Sequence, residues 1–347
     1  MGCRLSFSED TANFQLRVYN QVMTEIAFIA DPIPSLNVAK DSTIAMFRAA
    51  ILRNWKVWVM EQRELYWENN EVFALVTQLD MHHKFLDRLD PSVLGEEPWY
   101  RLKGTKQKRT LASFQAVFMR KDPPFDMDYI YTTYMLDRAE AEGVLVVNKP
   151  SSLRDFNEKF YATHFPEFTP PMVVAQDLDT LKQFYFEHRD VVFKQLDGMG
   201  GKGIFRVRED DPNLNAVLET LTANGTSPIM GQKFLPEIKA GDKRILIVDD
   251  ETIPYTLARV PPEGETRANL ATGGTGIPQP LSQEDLEMAN ALASEFQKQG
   301  LLFVGIDVIG PYLTEINITC PTCIRELDKA YDLDIGSQLM DAAERHM

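Results

Sequence analysis

The run VVFKQLDGMGGKGIFRVRED, Val191 to Asp210, limits what this chain can be. Its centre matches the dinucleotide fingerprint G-x-G-x-x-G at Gly198, Gly200 and Gly203. That fingerprint works when the glycines join a strand to a helix, whose N-terminal amides and dipole meet a pyrophosphate. Here VVFKQL before the glycines is strand-like, and IFRVRED after them is too, with Ile204, Arg206 and Arg208 alternating with Phe205 and Val207. The glycines therefore cap a hairpin, which speaks against a nicotinamide oxidoreductase. A glycine hairpin can still hold an anion, because successive exposed amides form a nest and the missing Cβ atoms let oxygens approach. Lys194, on the strand leading in, would add a point charge to the same place. A flexible turn beside a solvated lysine fits the same residues, and the pattern alone leaves both readings open.

A chain of 347 residues is too long for one core, so two or three domains are expected. EIAFIAD (Glu25 to Asp31) and KVWVM (Lys56 to Met60) read as strands, and DSTIAMFRAAILRN (Asp41 to Asn54) as a capped helix between them. AVFMRK leads into a helix capped by Asp126 and stopped at Gly143, and VLVVN (Val144 to Asn148) returns to strand. This alternation predicts an open parallel sheet, with residues 62–112 polar and unassigned. Beyond Lys149 the pattern changes to helices in NKPSSLRDFNEKFYATHF, DLDTLKQFYFEHRD and NLNAVLETLTANG and strands in PPMVVAQD and IMGQKFLP. Two further hairpins are expected, in RILIVDDETIPYTLARV and over Leu301 to Asn317.

A formal charge of -15 argues against broad binding to nucleic acid or anionic membrane, so an anionic ligand must be held by local cations. No apolar run approaches the length of a membrane span. Three cysteines do not make a secreted disulfide framework, which points to a reducing compartment. The opening MGCRLS fits an N-myristoylation pattern at Gly2 and Ser6, with Cys3 as a second acylation site. The favoured expectation is instead that Met23 is the main start and that residues 1–22 are a disordered or dispensable leader.

In FVGIDVIGPYLTEIN, Phe303 to Asn317, a turn over Gly310, Pro311 and Tyr312 would set Asp307 opposite Glu315 and bring Asn317 to the same face. Facing carboxylates repel and are costly to bury, and a divalent cation removes that cost. Oxygen ligands suit Mg²⁺, and the five histidines show no zinc spacing. A carboxylate pair on an exposed sheet face is the competing reading. Arg244 and Arg259 are expected at the same end of their hairpin, within about one residue. Val260 to Pro280, with Arg267 in its middle, reads as a lid or a plain surface loop.

The segments MRKDPPFD (Met119 to Asp126), VNKPSSLRDFNEK (Val147 to Lys159), LDGMGGKGIFRV, GDKRILIVD, ETRANLATGG and LTEINITCPTCIRE follow one another in an order more specific than any one motif. As a set, covering nearly the whole chain from about Glu25, they resemble the ATP-grasp superfamily and, within it, the bacterial glutathione synthetase family. The resemblance implies an α/β and α+β fold. A Rossmann-like parallel sheet would occupy 23–148, a small ATP-grasp lobe with the glycine loop 149–230, and a C-terminal lobe with the metal site and a lid at 260–280 the stretch 231–347. It implies that Lys159 and Lys194 bind ATP phosphates beneath the loop of Gly198, Gly200, Gly201 and Gly203. Gln232, Lys233, Phe234 and Leu235 would border the adenine, and Asp242 would meet the ribose. Asp307, Glu315 and Asn317 match the family's magnesium ligands, with manganese as a substitute. Arg244 and Arg259 would hold the substrate carboxylate and its phosphate, Arg267, Asn269 and Gly273 lie on the lid, and Glu326 is assigned to substrate. The implied protein is a cytoplasmic carboxylate-amine ligase that joins γ-L-glutamyl-L-cysteine to glycine at the expense of ATP, as a homo-oligomer such as a tetramer.

Two positions depart from the family's pattern: Thr275 stands where the lid often carries arginine, and Cys320 where serine is expected. The second creates a C-x-x-C pair with Cys323, whose redox reading requires a thioredoxin-like framework that the hairpin upstream does not supply. A ligase of the same fold for other substrates, and a non-catalytic ATP-binding relative, are the remaining alternatives.

Overall fold

The computed structural model describes residues 23–347, so the acylation motif at Gly2, Cys3 and Ser6 and the leader of residues 1–22 lie outside the described residues. The first sheet holds β1 (Glu25–Ala30), β2 (Lys56–Met60), β3 (Leu65–Glu68), β4 (Glu71–Met81), β5 (Tyr100–Thr110), β6 (Ala116–Arg120) and β7 (Leu145–Val147). Its order is β3-β4-β2-β1-β6-β7, with β5 also paired to β4. The expected parallel unit is present: β1 pairs in parallel with β2 and β6, and β6 with β7. The helices between these strands start where the sequence places them, since Asp41 accepts from the Thr43 amide and Asp126 from the Tyr129 amide.

The unassigned stretch 62–112 corrects the purely parallel expectation. It adds three antiparallel strands, β3, β4 and β5, beyond β2. β5 has no apolar alternation because it is exposed along most of its length and carries cations, paired across to acids as in Lys103 with Asp80 at 2.9 Å and Lys108 with Glu68. Charged side chains on such an edge discourage pairing with other chains.

The second sheet, β8 (Met172–Ala175), β9 (Val191–Gln195), β10 (Ile204–Val207) and β11 (Ile229–Lys233), runs in the order β10-β9-β11-β8 and is antiparallel throughout. It has a small core of its own around Leu181, Phe193 and Leu218. The third sheet contains β12 (Asp242–Val248), β13 (Glu251–Val260), β14 (Thr275–Pro280), β15 (Phe303–Ile309) and β16 (Tyr312–Asn317), ordered β14-β13-β12-β15-β16.

Two features join the first and third sheets. Asn148, directly after β7, donates from Nδ2 to the Phe303 and Ile318 carbonyls at 2.7 Å and accepts from the Phe303 amide at 2.9 Å. The last helix, Ile335–His346, packs on the helix Ser42–Leu52, where a Cβ on Gly336 would sit 2.7 Å from the Ala45 carbonyl oxygen. Arg53 reinforces this contact with a bond to the Ser337 carbonyl at 3.0 Å. The parallel sheet and the carboxylate hairpin thus share buried packing.

Candidate active site

The glycine stretch is a hairpin. β9 and β10 pair antiparallel, with Lys194 opposite Ile204, and the glycines lie in the loop between them. Val191 and Phe193 fill the core of this lobe, so the alternation of β9 turns Lys194 to the other face. There its Nζ donates to Gln232 Oε1 on the neighbouring β11 at 3.0 Å and to the Thr314 carbonyl at 3.3 Å. Both partners are neutral, so burial prevails and lowers the Lys194 pKa to about 8.

Asp307 and Glu315 face each other, but not by the turn that the sequence suggested. Ile309 pairs with Tyr312, leaving a two-residue turn at Gly310 and Pro311, a register that would bring Thr314 opposite Asp307. A bulge between Leu313 and Glu315 restores the Asp307–Glu315 pair and sets Asn317 beside Gly305. The bulged Thr314 is used twice: its hydroxyl donates to the Asp307 carbonyl at 3.1 Å, and its own carbonyl receives Lys194.

Lys159 joins the glycine loop to the carboxylate hairpin. Its Nζ donates to the Gly198 carbonyl at 2.5 Å and to Glu315 Oε1 at 3.1 Å. Burial opposes its charge, but Glu315 and Glu158 outweigh that and raise its pKa, the reverse of Lys194. Two neighbours that sequence reasoning missed position this lysine. Asn157 donates to the Leu196 carbonyl at 3.0 Å, and one oxygen of Glu158 accepts from the Ile318 amide, the Thr319 amide and the Thr319 hydroxyl at 2.8 to 2.9 Å. Both act on backbone remote in sequence, which leaves no local signal.

Arg244 grips Asp307 through two bonds, Nε to Oδ1 at 2.5 Å and an Nη to Oδ2 at 3.0 Å, while Arg259 reaches Oδ2 at 2.8 Å. Arg259 also bonds Asp242 at 2.6 Å. The arginines are two residues apart in register rather than one, since Arg259 is opposite Asp242 and Arg244 opposite Leu257, and the strands shift between Ile245 and Ile247. Gly305 leaves room for this: a Cβ there would sit 2.9 Å from the Arg244 Cδ. Burial disfavours the Asp307 charge, yet the two guanidiniums overcome it and hold the carboxyl well below the ordinary range. Asp242 goes the other way, pushed by burial up to about 7 despite Arg259, and its Oδ1 is buried without a partner among the described residues.

The stretch after β13 is shorter as a loop than expected. Residues 275–280 return as β14 on the edge of the third sheet, where Thr275 pairs with Val260. Its prolines hid it, and an edge is where a strand tolerates them. The loop before it meets the glycine hairpin: Arg267 donates to the Gly201 carbonyl at 3.3 Å, and a Cβ on Gly201, at φ +81°, would sit 2.9 Å from the Asn269 Oδ1. Gly273, at φ +94°, closes the short turn that follows Asn269.

The remaining candidates are more scattered. Leu235 is buried, Lys233 is exposed, and Phe234 carries the Arg206 guanidinium 3.3 Å over its ring. Glu326 lies in the first turn of the helix Ile324–Tyr331 with its Oε2 buried and unpartnered, and no hydrogen bond or ion pair among the described residues joins it to the arginine cluster. Cys320 donates to the Arg120 carbonyl at 3.4 Å. Burial pushes both the Cys320 and Cys323 thiols up, which opposes the thiolate that redox chemistry needs.

The oxygen donors of Asp307, Glu315 and Asn317 are of the type a divalent cation takes, although here Arg244 and Arg259 engage both Asp307 oxygens and Lys159 engages Glu315. No group of three or more His, Cys, Asp and Glu is clustered for a metal among the described residues, so a cation here would take Asp307, Glu315 and an amide and complete its shell with ligand oxygens and water. The Asn317 amide nitrogen is buried without a partner among the described residues, and turning that amide presents an oxygen in its place.

The fold that carries these side chains is that of the ATP-grasp ligases. The solved structure of the D-cycloserine synthetase DcsG superposes with a TM-score of 0.63 at 15% identity, over 93% of this chain and all of that one (100%). A Chryseobacterium gregarium RiPP-associated ATP-grasp ligase gives 0.60 at 17% identity, covering 94% and 98%. These likenesses establish the fold. "Prokaryotic glutathione synthetase, N-terminal domain" matches residues 24–154 and "Prokaryotic glutathione synthetase, ATP-grasp domain" residues 158–332, so the chain belongs to the prokaryotic glutathione synthetase family. The glutathione synthetase of Pseudomonas aeruginosa is 50% identical over 317 residues, 91% of this chain and 96% of that protein. That of Vibrio cholerae is 50% identical over 325 residues, covering 94% and 98%.

Proposed function

We propose that this chain joins γ-L-glutamyl-L-cysteine to glycine with ATP, giving glutathione, ADP and phosphate through an acyl phosphate on the cysteinyl carboxyl. The observation that carries the reading is Lys159, which bonds the glycine loop at Gly198 and the carboxylate hairpin at Glu315 together. A phosphate chain lying between those two elements would meet loop amides on one side and Lys159 and Lys194 on the other.

A carboxylate is a poor electrophile, and phosphorylation turns one of its oxygens into a leaving group for the glycine amine. Lys159 and Lys194 hold the charge of the transferring phosphoryl group, and no side chain need form a covalent bond. Asp307, Glu315 and Asn317 would hold Mg²⁺, or Mn²⁺ in its place, which when bound offsets charge on the phosphate oxygens. Arg244 and Arg259 present planar forks suited to the donor carboxylate and then to its phosphate. Gln232 to Leu235 border the adenine, and the unpartnered Asp242 oxygen suits a ribose hydroxyl. Among the described residues no helix is long and apolar enough to cross a membrane, and we place the reaction in the cytoplasm.

Release of phosphate from ATP tests the assignment with each substrate omitted in turn. Strict dependence on both γ-glutamylcysteine and glycine is expected; release with neither, or none with both, sinks it. The lid has its own test. Arg267→Ala removes the bond to Gly201 and should raise KM for ATP about tenfold. It should also lift the ratio of phosphate to glutathione above one, as water reaches the acyl phosphate. An unchanged ratio and KM would remove Arg267 from the lid.

A further inference from the structure

β16 carries one residue more than its pairing needs. The turn at Gly310 and Pro311 sets Leu313 opposite Val308, and a regular ladder would then place the next residue, Thr314, opposite Asp307. The strand instead skips Thr314 and pairs Glu315 with Asp307. Were Thr314 absent, Glu315 would follow Leu313 into the same position with no bulge at all. Leu313 and Ile316 would still fill the core with Ile306 and Val308, and Glu315 and Asn317 would still share the other face with Asp307. The sheet has no use for the extra residue. Bulges that a ladder does not need occur beside active sites, where they re-aim a group.

The polar contacts of Thr314 show what is aimed. The residue is buried, so both its hydroxyl and its carbonyl need partners. The hydroxyl donates to the Asp307 carbonyl at 3.1 Å, which pins the bulge to the strand it faces. The carbonyl accepts from Lys194 Nζ at 3.3 Å. The other bond of that ammonium goes to Gln232 within its own sheet, so among the described residues Thr314 is its only hydrogen-bond partner on the third sheet. Lys159 meets the very next residue, Glu315, at 3.1 Å. Both lysines thus end on consecutive residues of β16.

We propose that Thr314 is a positioning residue for phosphoryl transfer: the bulge presents its carbonyl to Lys194 and docks that ammonium on the carboxylate hairpin, while the hydroxyl keeps the bulge in place. The proposal rests on the role given to Lys194 above. Thr314 acts through the lysine and not on the substrate.

The full chain with Thr314 deleted tests this by steady-state kinetics and thermal melting. The variant is expected to fold, melting within about 5 °C of the wild type. It should lose about 100-fold in kcat while KM for glycine changes less than about twofold. The same deletion made in the Lys194→Met chain should lower kcat by less than about threefold further, because the residue acts through that lysine. Two point variants separate hydroxyl from shape. Thr314→Ser should keep kcat within about threefold of the wild type, and Thr314→Val, which keeps the shape, should lose about tenfold or more. A deletion that leaves kcat within about threefold of the wild type, or that costs as much in the Lys194→Met chain as in the wild type, overturns the proposal. So does a Thr314→Val chain as active as Thr314→Ser, and this pair decides the matter if the deleted chain does not fold. If the wild type does not turn over with γ-glutamylcysteine, glycine and ATP, the assigned reaction fails instead.

Discussion

Asp307→Ala is expected to abolish measurable turnover and also to destabilise the fold by about 3–5 kcal/mol. The second effect follows from what surrounds the carboxylate. Arg244 and Arg259 are both buried and share Asp307, so removing it leaves two guanidiniums facing each other with Asp242 as the remaining nearby acid. Denaturant unfolding checks this part, and a loss below about 1 kcal/mol would mean that the arginines find other partners. The sign with pH is fixed by the lowered Asp307 pKa. Its stabilisation is complete above the ordinary carboxylate value of about 4 and is lost as pH falls below it. Asp307→Asn should therefore lose stability at neutral pH and approach the wild type in acid. Glu315→Gln separates chemistry from folding, since Glu315 is less buried and, among the described residues, its side chain bonds only Lys159. It should cost 100-fold or more in kcat, with a smaller change in stability.

Lys194→Met is expected to lower turnover by 100- to 1,000-fold while raising stability at neutral pH by about 1–3 kcal/mol. A buried lysine whose pKa falls from 10.5 to about 8 is penalised in its charged form, and neither its neutral bonding partners, Gln232 and the Thr314 carbonyl, nor the attraction of Glu315 offsets that burial. Below about pH 8 both folded and unfolded states carry the proton and the penalty is full; between about 8 and 10.5 the unfolded state binds more protons, so wild-type stability rises with pH and the advantage of the variant fades. The free enzyme's kcat/KM for ATP should fall above about pH 8, as Lys194 loses the charge that meets phosphate. A variant that is both active and no more stable than wild type would contradict the assignment of Lys194 to a desolvated phosphate site.

Much of this site was legible in the sequence because period-2 alternation survives in hairpins. It identified the glycine run as strand-turn-strand and brought Asp307 opposite Glu315, although the pairing depends on a bulge at Thr314 that no residue pattern announces. What escaped notice did so for physical reasons. β5 is a charged edge strand without an apolar face, and β14 carries prolines that only an edge tolerates. Asn157 and Glu158 support the lysine next to them by holding backbone about 40 and 160 residues away. Asp307 was readable as a metal ligand candidate, but its role in neutralising two buried arginines appears only when the strands of the third sheet are set side by side.

The central claim is that phosphoryl transfer onto a carboxyl held at this cluster precedes attack by glycine. The direct measurement uses γ-glutamylcysteine with ¹⁸O in the cysteinyl carboxyl, turned over to completion with ATP and glycine. One ¹⁸O per turnover should appear in the released inorganic phosphate, and one should stay in the new peptide carbonyl. Phosphate free of the label, with glutathione still formed, would contradict the account.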